Sequence, residues 1–71
     1  MKKDYDDLLL TEEQAADILK LSPKTLQQKR SAGKLPVFVK LAGGAAVRYR
    51  WADLQDYISK SRVAVKEDAH A

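Results

Sequence analysis

The chain has 71 residues, enough for one domain with a small core, and its 13 Lys and Arg against 10 Asp and Glu leave a formal net charge of +3. It has no Cys, which excludes disulfides, thiolate zinc sites and thiol catalysis, and no apolar run long enough to span a membrane. The charge is sorted along the chain: −4 from Met1 to Asp17, eight basic residues and no acid from Ile18 to Arg50, and −1 from Trp51 to Ala71. A block of this kind is suited to an anion, and for a small protein the phosphate backbone of a nucleic acid is the expected one.

Residues 1–7 read as a flexible acidic N-terminus, and Asp4, Asp6 and Asp7 as a solvated run rather than a metal site. Two lysines followed by acids, with no apolar stretch, do not make a secretory signal, so a cytoplasmic protein is expected. Leu8-Leu9-Leu10 leads into Thr11, which forms a capping box with Gln14: the hydroxyl accepts from the N3 amide and the Gln side chain returns the bond. Glu12 and Glu13 suit the positive end of the helix dipole. Ala15, Ala16, Ile18 and Leu19 follow at helical spacing, and the first helix is predicted over Glu12 to Lys20.

Ser22 is the next N-cap and Pro23 suits the first helical position, so a second helix is predicted from Pro23 to about Ala32, ended by Gly33. Two short helices joined this tightly cross steeply, the helix-turn-helix arrangement. The second helix has no apolar stripe; Leu26 is its main anchor, and most of the rest is donor-rich.

Val37 to Leu41 and Ala46 to Arg50 read as two strands joined by the Ala42-Gly43-Gly44-Ala45 turn. Alternation puts Val37, Val39 and Leu41 on one face and Phe38 and Lys40 on the other, with Val47 and Tyr49 opposite Arg48 and Arg50. Phe38 and Tyr49 are assigned to the core rather than to base stacking, because two strands make no RNA-binding platform. Trp51, Leu54, Tyr57 and Ile58 form the apolar stripe of a third helix, Trp51 to Arg62, with Lys60 and Arg62 in its last turn. Residues 63–71 read as a flexible tail, leaving 8–62 as the folded domain.

Catalysis is not expected. The lone His70 is one residue from the end, no Gly-rich loop is followed by Lys-Ser or Lys-Thr, and no nucleophile has a base at a plausible spacing. No cofactor and no metal are expected.

Leu9 to Ala16, Leu21 to Leu26, Gly33-Lys34-Leu35-Pro36, Val47 to Arg50 and Asp53-Leu54, taken in order, resemble the excisionase/AlpA-like DNA-binding proteins. These share the MerR-like winged helix-turn-helix. The resemblance covers about residues 8–61 and implies an α+β, mostly helical fold in the order helix, helix, β-hairpin, helix. It implies that the second helix enters the major groove of double-stranded DNA while the hairpin wing reaches a minor groove or the backbone. Ser22, Lys24, Thr25, Gln27 and Gln28 would then meet base edges, with Gln27 and Gln28 the residues for base readout. Lys24, Lys29, Arg30 and Lys34 would hold phosphates. Lys40, Arg48 and Arg50 flank a Gly43–Gly44 turn small enough to enter a groove. The chain departs from the family at Gln27, Gln28, Lys29 and Arg30, where many members carry apolar or aromatic residues, and it has no long dimerising helix of the MerR type.

The expected function is that of an excisionase, a recombination directionality factor that binds and bends attachment-site DNA and helps an integrase excise a mobile element. Its partners would be DNA, an integrase and further copies of itself, cooperatively on DNA, with a monomer in solution. The alternatives are an AlpA-type transcriptional regulator and the DNA-recognition adaptor of a larger phage complex.

Overall fold

The structure, a computed structural model, describes residues 5–64. The element order is β1 (Leu9–Leu10), α1 (Glu12–Leu19), α2 (Pro23–Ser31), β2 (Val39–Leu41), a short 3-10 turn over Ala42–Gly44, β3 (Ala46–Arg50) and α3 (Trp51–Lys60). Three helices and a three-stranded antiparallel sheet of order β1-β3-β2 are compatible with a winged helix-turn-helix.

The capping box forms as read: Thr11 Oγ1 accepts from the Gln14 amide at 3.1 Å, and Gln14 Oε1 accepts from the Thr11 amide at 2.9 Å. α1 ends at Leu19, one residue before the expected boundary, because Lys20 is left-handed (φ 59°, ψ 38°). Its amide donates to the Asp17 carbonyl and that of Leu21 to the Ala16 carbonyl, at 3.2 and 2.9 Å. This pair of bonds is a Schellman ending, which satisfies the orphan carbonyls of the last turn. α2 begins on the predicted cap, with Ser22 Oγ accepting from the Thr25 amide at 3.1 Å. It ends in the same motif, with Gly33 (φ 70°) in the left-handed seat and Lys34 donating to the Lys29 carbonyl at 2.8 Å.

The sheet differs from the expectation in two ways. It has a third strand: Leu9 pairs with Arg50 and Leu10 with Tyr49. A two-residue strand has no period to read, and only tertiary pairing makes it one. The second strand starts at Val39 rather than Val37. Phe38 lies beside the ladder, its ring 6.4 Å from that of Tyr49, while Val37 remains 51% exposed. Partners opposite each other share a face. Leu10, Tyr49 and Val47 therefore share the inner face, and Leu9, Arg50, Arg48 and Val39 the outer one.

The core is Leu10, Ala15, Ala16, Leu26, Tyr49 and Leu54, drawn from every helix and from two of the strands. Ile18, Leu19, Phe38, Val47 and Trp51 pack around it. α3 contributes Leu54 fully, but Ile58 at the end of its predicted stripe stays 40% exposed. The N-cap of α3, Arg50, has no side-chain capping bond. Instead the Trp51 amide donates to the Leu8 carbonyl at 2.9 Å and that of Ala52 to the Asp6 carbonyl at 3.1 Å. Tyr5 stacks edge-on against Trp51 with centroids 5.7 Å apart, and Asp7 bridges Arg50 at 2.8 Å. Residues 5–7, expected to belong to a loose end, are thus fastened to α3; the rest of that segment, 1–4, and most of the expected tail, 65–71, lie outside the described residues.

One polar cluster joins three elements. Glu12 of α1 accepts from Arg30 of α2 twice, Nε to Oε2 at 3.0 Å and Nη2 to Oε1 at 3.2 Å. The Tyr49 hydroxyl of β3 donates to Glu12 Oε2 at 3.0 Å. The charged side chains are only 21% and 20% exposed, so the pair is less screened than a surface bridge. The hydrogen bonds from Arg30 hold the Glu12 carboxyl below its ordinary 4.5, against burial, which pushes the other way. Burial, then the neighbouring Glu12, pushes the Tyr49 hydroxyl up to about 12.

Two predictions follow from these contacts. Lowering of the Glu12 pKa stabilises the fold above pH 4.5, and that contribution is lost as pH falls through the lower folded value. The raised Tyr49 stabilises it fully below pH 10, with loss as pH climbs toward about 12. Chemical denaturation across pH should show both limbs, with Glu12→Gln flattening the acid one and Tyr49→Phe the alkaline one. At neutral pH, Tyr49→Phe should cost about 1.5 kcal/mol, a hydrogen bond to a charged group. Separately, Lys20→Gly should raise stability by about 0.5–1 kcal/mol by relieving a left-handed non-glycine residue, whereas Gly33→Ala should lower it by about 1 kcal/mol. Thermal unfolding of the two variants checks the opposite signs.

Candidate nucleic-acid interface

α2 has two dissimilar sides. Leu26, fully buried, and Arg30, one turn on, face the body of the protein. Lys24, Gln27, Gln28 and Ser31 recur at i, i+3, i+4 and i+7, the spacing of a single helical face, and with Ala32 they line a shallow open concavity. All four side chains are exposed. The face offers two carboxamides, each able to donate and accept along one base edge, an ammonium and a hydroxyl. α2 contains no acid.

The predicted residues therefore separate. Lys24, Gln27 and Gln28 are brought together, and Ser31 joins them; helical spacing from Lys24 was the signal that could have included it. Ser22 and Thr25 sit at the first turn, but their hydroxyls are 2.9 Å apart and Ser22 also caps the helix. Lys29 is half-buried and Lys34 exposed beyond the Gly33 turn. Arg30, expected at phosphates, has its guanidinium committed to Glu12 on two nitrogens. The partners of this clamp are 18 and 37 residues apart in sequence, so no local spacing announces it.

The β2–β3 hairpin carries the other predicted set. Lys40 lies opposite Val47, and Arg48 opposite Val39, so the two cations leave by opposite faces of the ribbon. Lys40 is exposed; Arg48 is half-buried and donates from Nη1 to the Val47 carbonyl at 2.8 Å. Arg50 is bridged to Asp7. The tip passes through three successive left-handed residues, Ala42 (φ 53°), Gly43 (67°) and Gly44 (97°). A side-chain carbon at either glycine would meet nothing within 4 Å, so the tip stands clear of the body. Its backbone conformation, rather than crowding, is what favours glycine there.

Among the described residues no group of His, Cys, Asp and Glu is placed to hold a metal ion, and no helix is long and apolar enough to cross a membrane.

No curated protein and no solved structure matches the chain. Residues 9–62, from β1 to just beyond α3, match the family of the helix-turn-helix domain. This span holds the capped helix pair, its tight left-handed turn and the hairpin. The chain belongs to the helix-turn-helix domain family, the one in which its excisionase/AlpA-like resemblance falls.

Proposed function

We propose that the protein reads double-stranded DNA by laying the Lys24–Gln27–Gln28–Ser31 face of α2 in the major groove, with the β2–β3 hairpin as a wing on the flanking backbone or minor groove. The observation that carries this reading is that face: exposed, free of acids, rich in groups that match base edges, and backed by a helix pair of the DNA-binding kind. Gln27 and Gln28 supply base readout, Lys24 and Lys34 hold phosphates, and Lys40 and Arg48 tether the wing. Ser22 and Thr25 serve first as the cap that orients the helix.

The biological role we propose is that of an excisionase. One nine-residue helix reaches few base pairs, so selectivity requires several copies side by side and DNA that bends readily. Repeated sites beside an attachment sequence meet that requirement, and the bent array presents the ends of a mobile element to an integrase. The chemistry is all positioning. Titrating the protein into duplexes from its gene's own neighbourhood, against random competitor, tests this. Stepwise cooperative shifts on attachment-site DNA are expected; a single shift at a promoter would replace excision by transcriptional control.

Gln27→Ala with Gln28→Ala should relax sequence preference by about 10-fold or more while weakening total binding less, since a bidentate base contact supplies discrimination of that order. Competition between specific and random duplexes measures it, and equal losses on both would remove these residues from readout. Lys40→Ala and Arg48→Ala should weaken binding on every sequence and lower the slope of log affinity against log salt by about 1 each. An unchanged slope would take the wing off the DNA.

A further inference from the structure

Among the described residues, two side chains of opposite character stand out in how α2 meets the body: its one buried residue and its one ion-paired residue. Leu26 is fully buried and fixes the position of the helix axis. A single apolar contact leaves rotation about that axis weakly determined, because dispersion forces have no preferred direction. The second point, Arg30, is directional: two parallel hydrogen bonds to one carboxylate fix both distance and angle. The same carboxylate receives the Tyr49 hydroxyl, and Tyr49 lies on β3, the strand that the hairpin shares with β1. One group on α1 thereby relates the reading face of α2 to the base of the wing. It also neutralises Arg30, a cation of the very helix that would lie on the phosphates.

We infer that Glu12 is a positioning residue for DNA recognition: by holding Arg30 and Tyr49 together it sets the rotation of α2 relative to the wing and keeps the charge of Arg30 off the DNA backbone. This deepens the DNA-binding reading above and rests on it. Loss of the carboxylate has two separate effects. The Gln27–Gln28 face loses its registry with base edges, which lowers affinity for the preferred sequence. Arg30 is released as an additional phosphate contact, which strengthens binding to any sequence. A residue that mattered only for stability would lower both kinds of binding together.

The test starts from a duplex enriched by the wild-type protein from a randomised library, with a scrambled duplex of the same composition beside it. Affinities are measured against salt at a temperature where circular dichroism shows each variant folded. Glu12→Gln should reduce the preference for the enriched duplex by about 10-fold, the discrimination of one bidentate base contact. It should also steepen the salt dependence on the scrambled duplex by about 1, one added phosphate contact. The double variant Glu12→Gln with Arg30→Gln should return that slope to the wild-type value while preference stays low. Arg30→Lys, which keeps the charge but loses the two-point grip, should lose preference with little change in fold, and it carries the test if Glu12→Gln does not fold. A folded Glu12→Gln protein with unchanged preference and slope, or Arg30→Lys with unchanged preference, overturns the inference and leaves the DNA reading standing. If the wild-type protein enriches no sequence at all, the DNA reading falls and this inference with it.

Discussion

A carboxylate shared by a guanidinium and a phenol organises this small domain. Glu12 receives both hydrogen bonds of Arg30 and the hydroxyl of Tyr49, and the three residues come from three different elements. The core alone is six residues, two of them alanines. Apolar packing of that extent brings elements together without fixing how each is turned, since hydrophobic contact is non-directional. Directional bonds at the edge of the core supply the missing constraint. The arrangement is self-consistent: among the described residues no buried side-chain nitrogen or oxygen lacks a partner.

This constraint also accounts for the unusual composition of α2. A helix with Gln27, Gln28, Lys29 and Arg30 in succession has given up apolar anchors for polar surface. It tolerates this because Arg30, whose stem and head both reach inward, replaces a hydrophobic contact with an ionic one while Lys24, Gln27, Gln28 and Ser31 stay outward. Anchoring thus draws on one side of this short helix and leaves the other side free of it. Its two ends are set by other residues: Ser22 and Pro23 shape the entry, and Gly33 releases the chain toward the hairpin.

Much of this was legible in the sequence wherever the signal is local. The Thr11–Gln14 box, the Ser22 cap with Pro23, the Gly33 stop and the Gly43–Gly44 turn each lie within a few residues of the structure they specify, and each is found where the spacing puts it. The grouping of Lys24, Gln27 and Gln28 follows from helical period. What escaped the sequence is mostly non-local. β1 exists only because β3 pairs with it, and the guanidinium of Arg30, by sequence one more phosphate ligand, is bound by a carboxylate on another helix; the left-handed turn at Lys20 is local, but its residue type does not advertise it. Charge counts along a chain treat cations as equivalent; only folding shows which of them are already neutralised.

The closure of α3 by Leu8 and Asp6 has a consequence for how the chain reaches this state. The first amides of the last helix are capped by carbonyls from the first described residues, and β1 completes the sheet on the same side. The two ends of the fold are therefore one seam. A nascent chain that has emerged only as far as the helix pair lacks Tyr49 and Leu54 of the core and the partner strand of β1. Contacts of such long sequence separation pay their loop-closure entropy before they reward it, which slows their formation. The helix pair, the wing and the last helix are thus parts of one closed unit, joined where the start of the described chain meets α3.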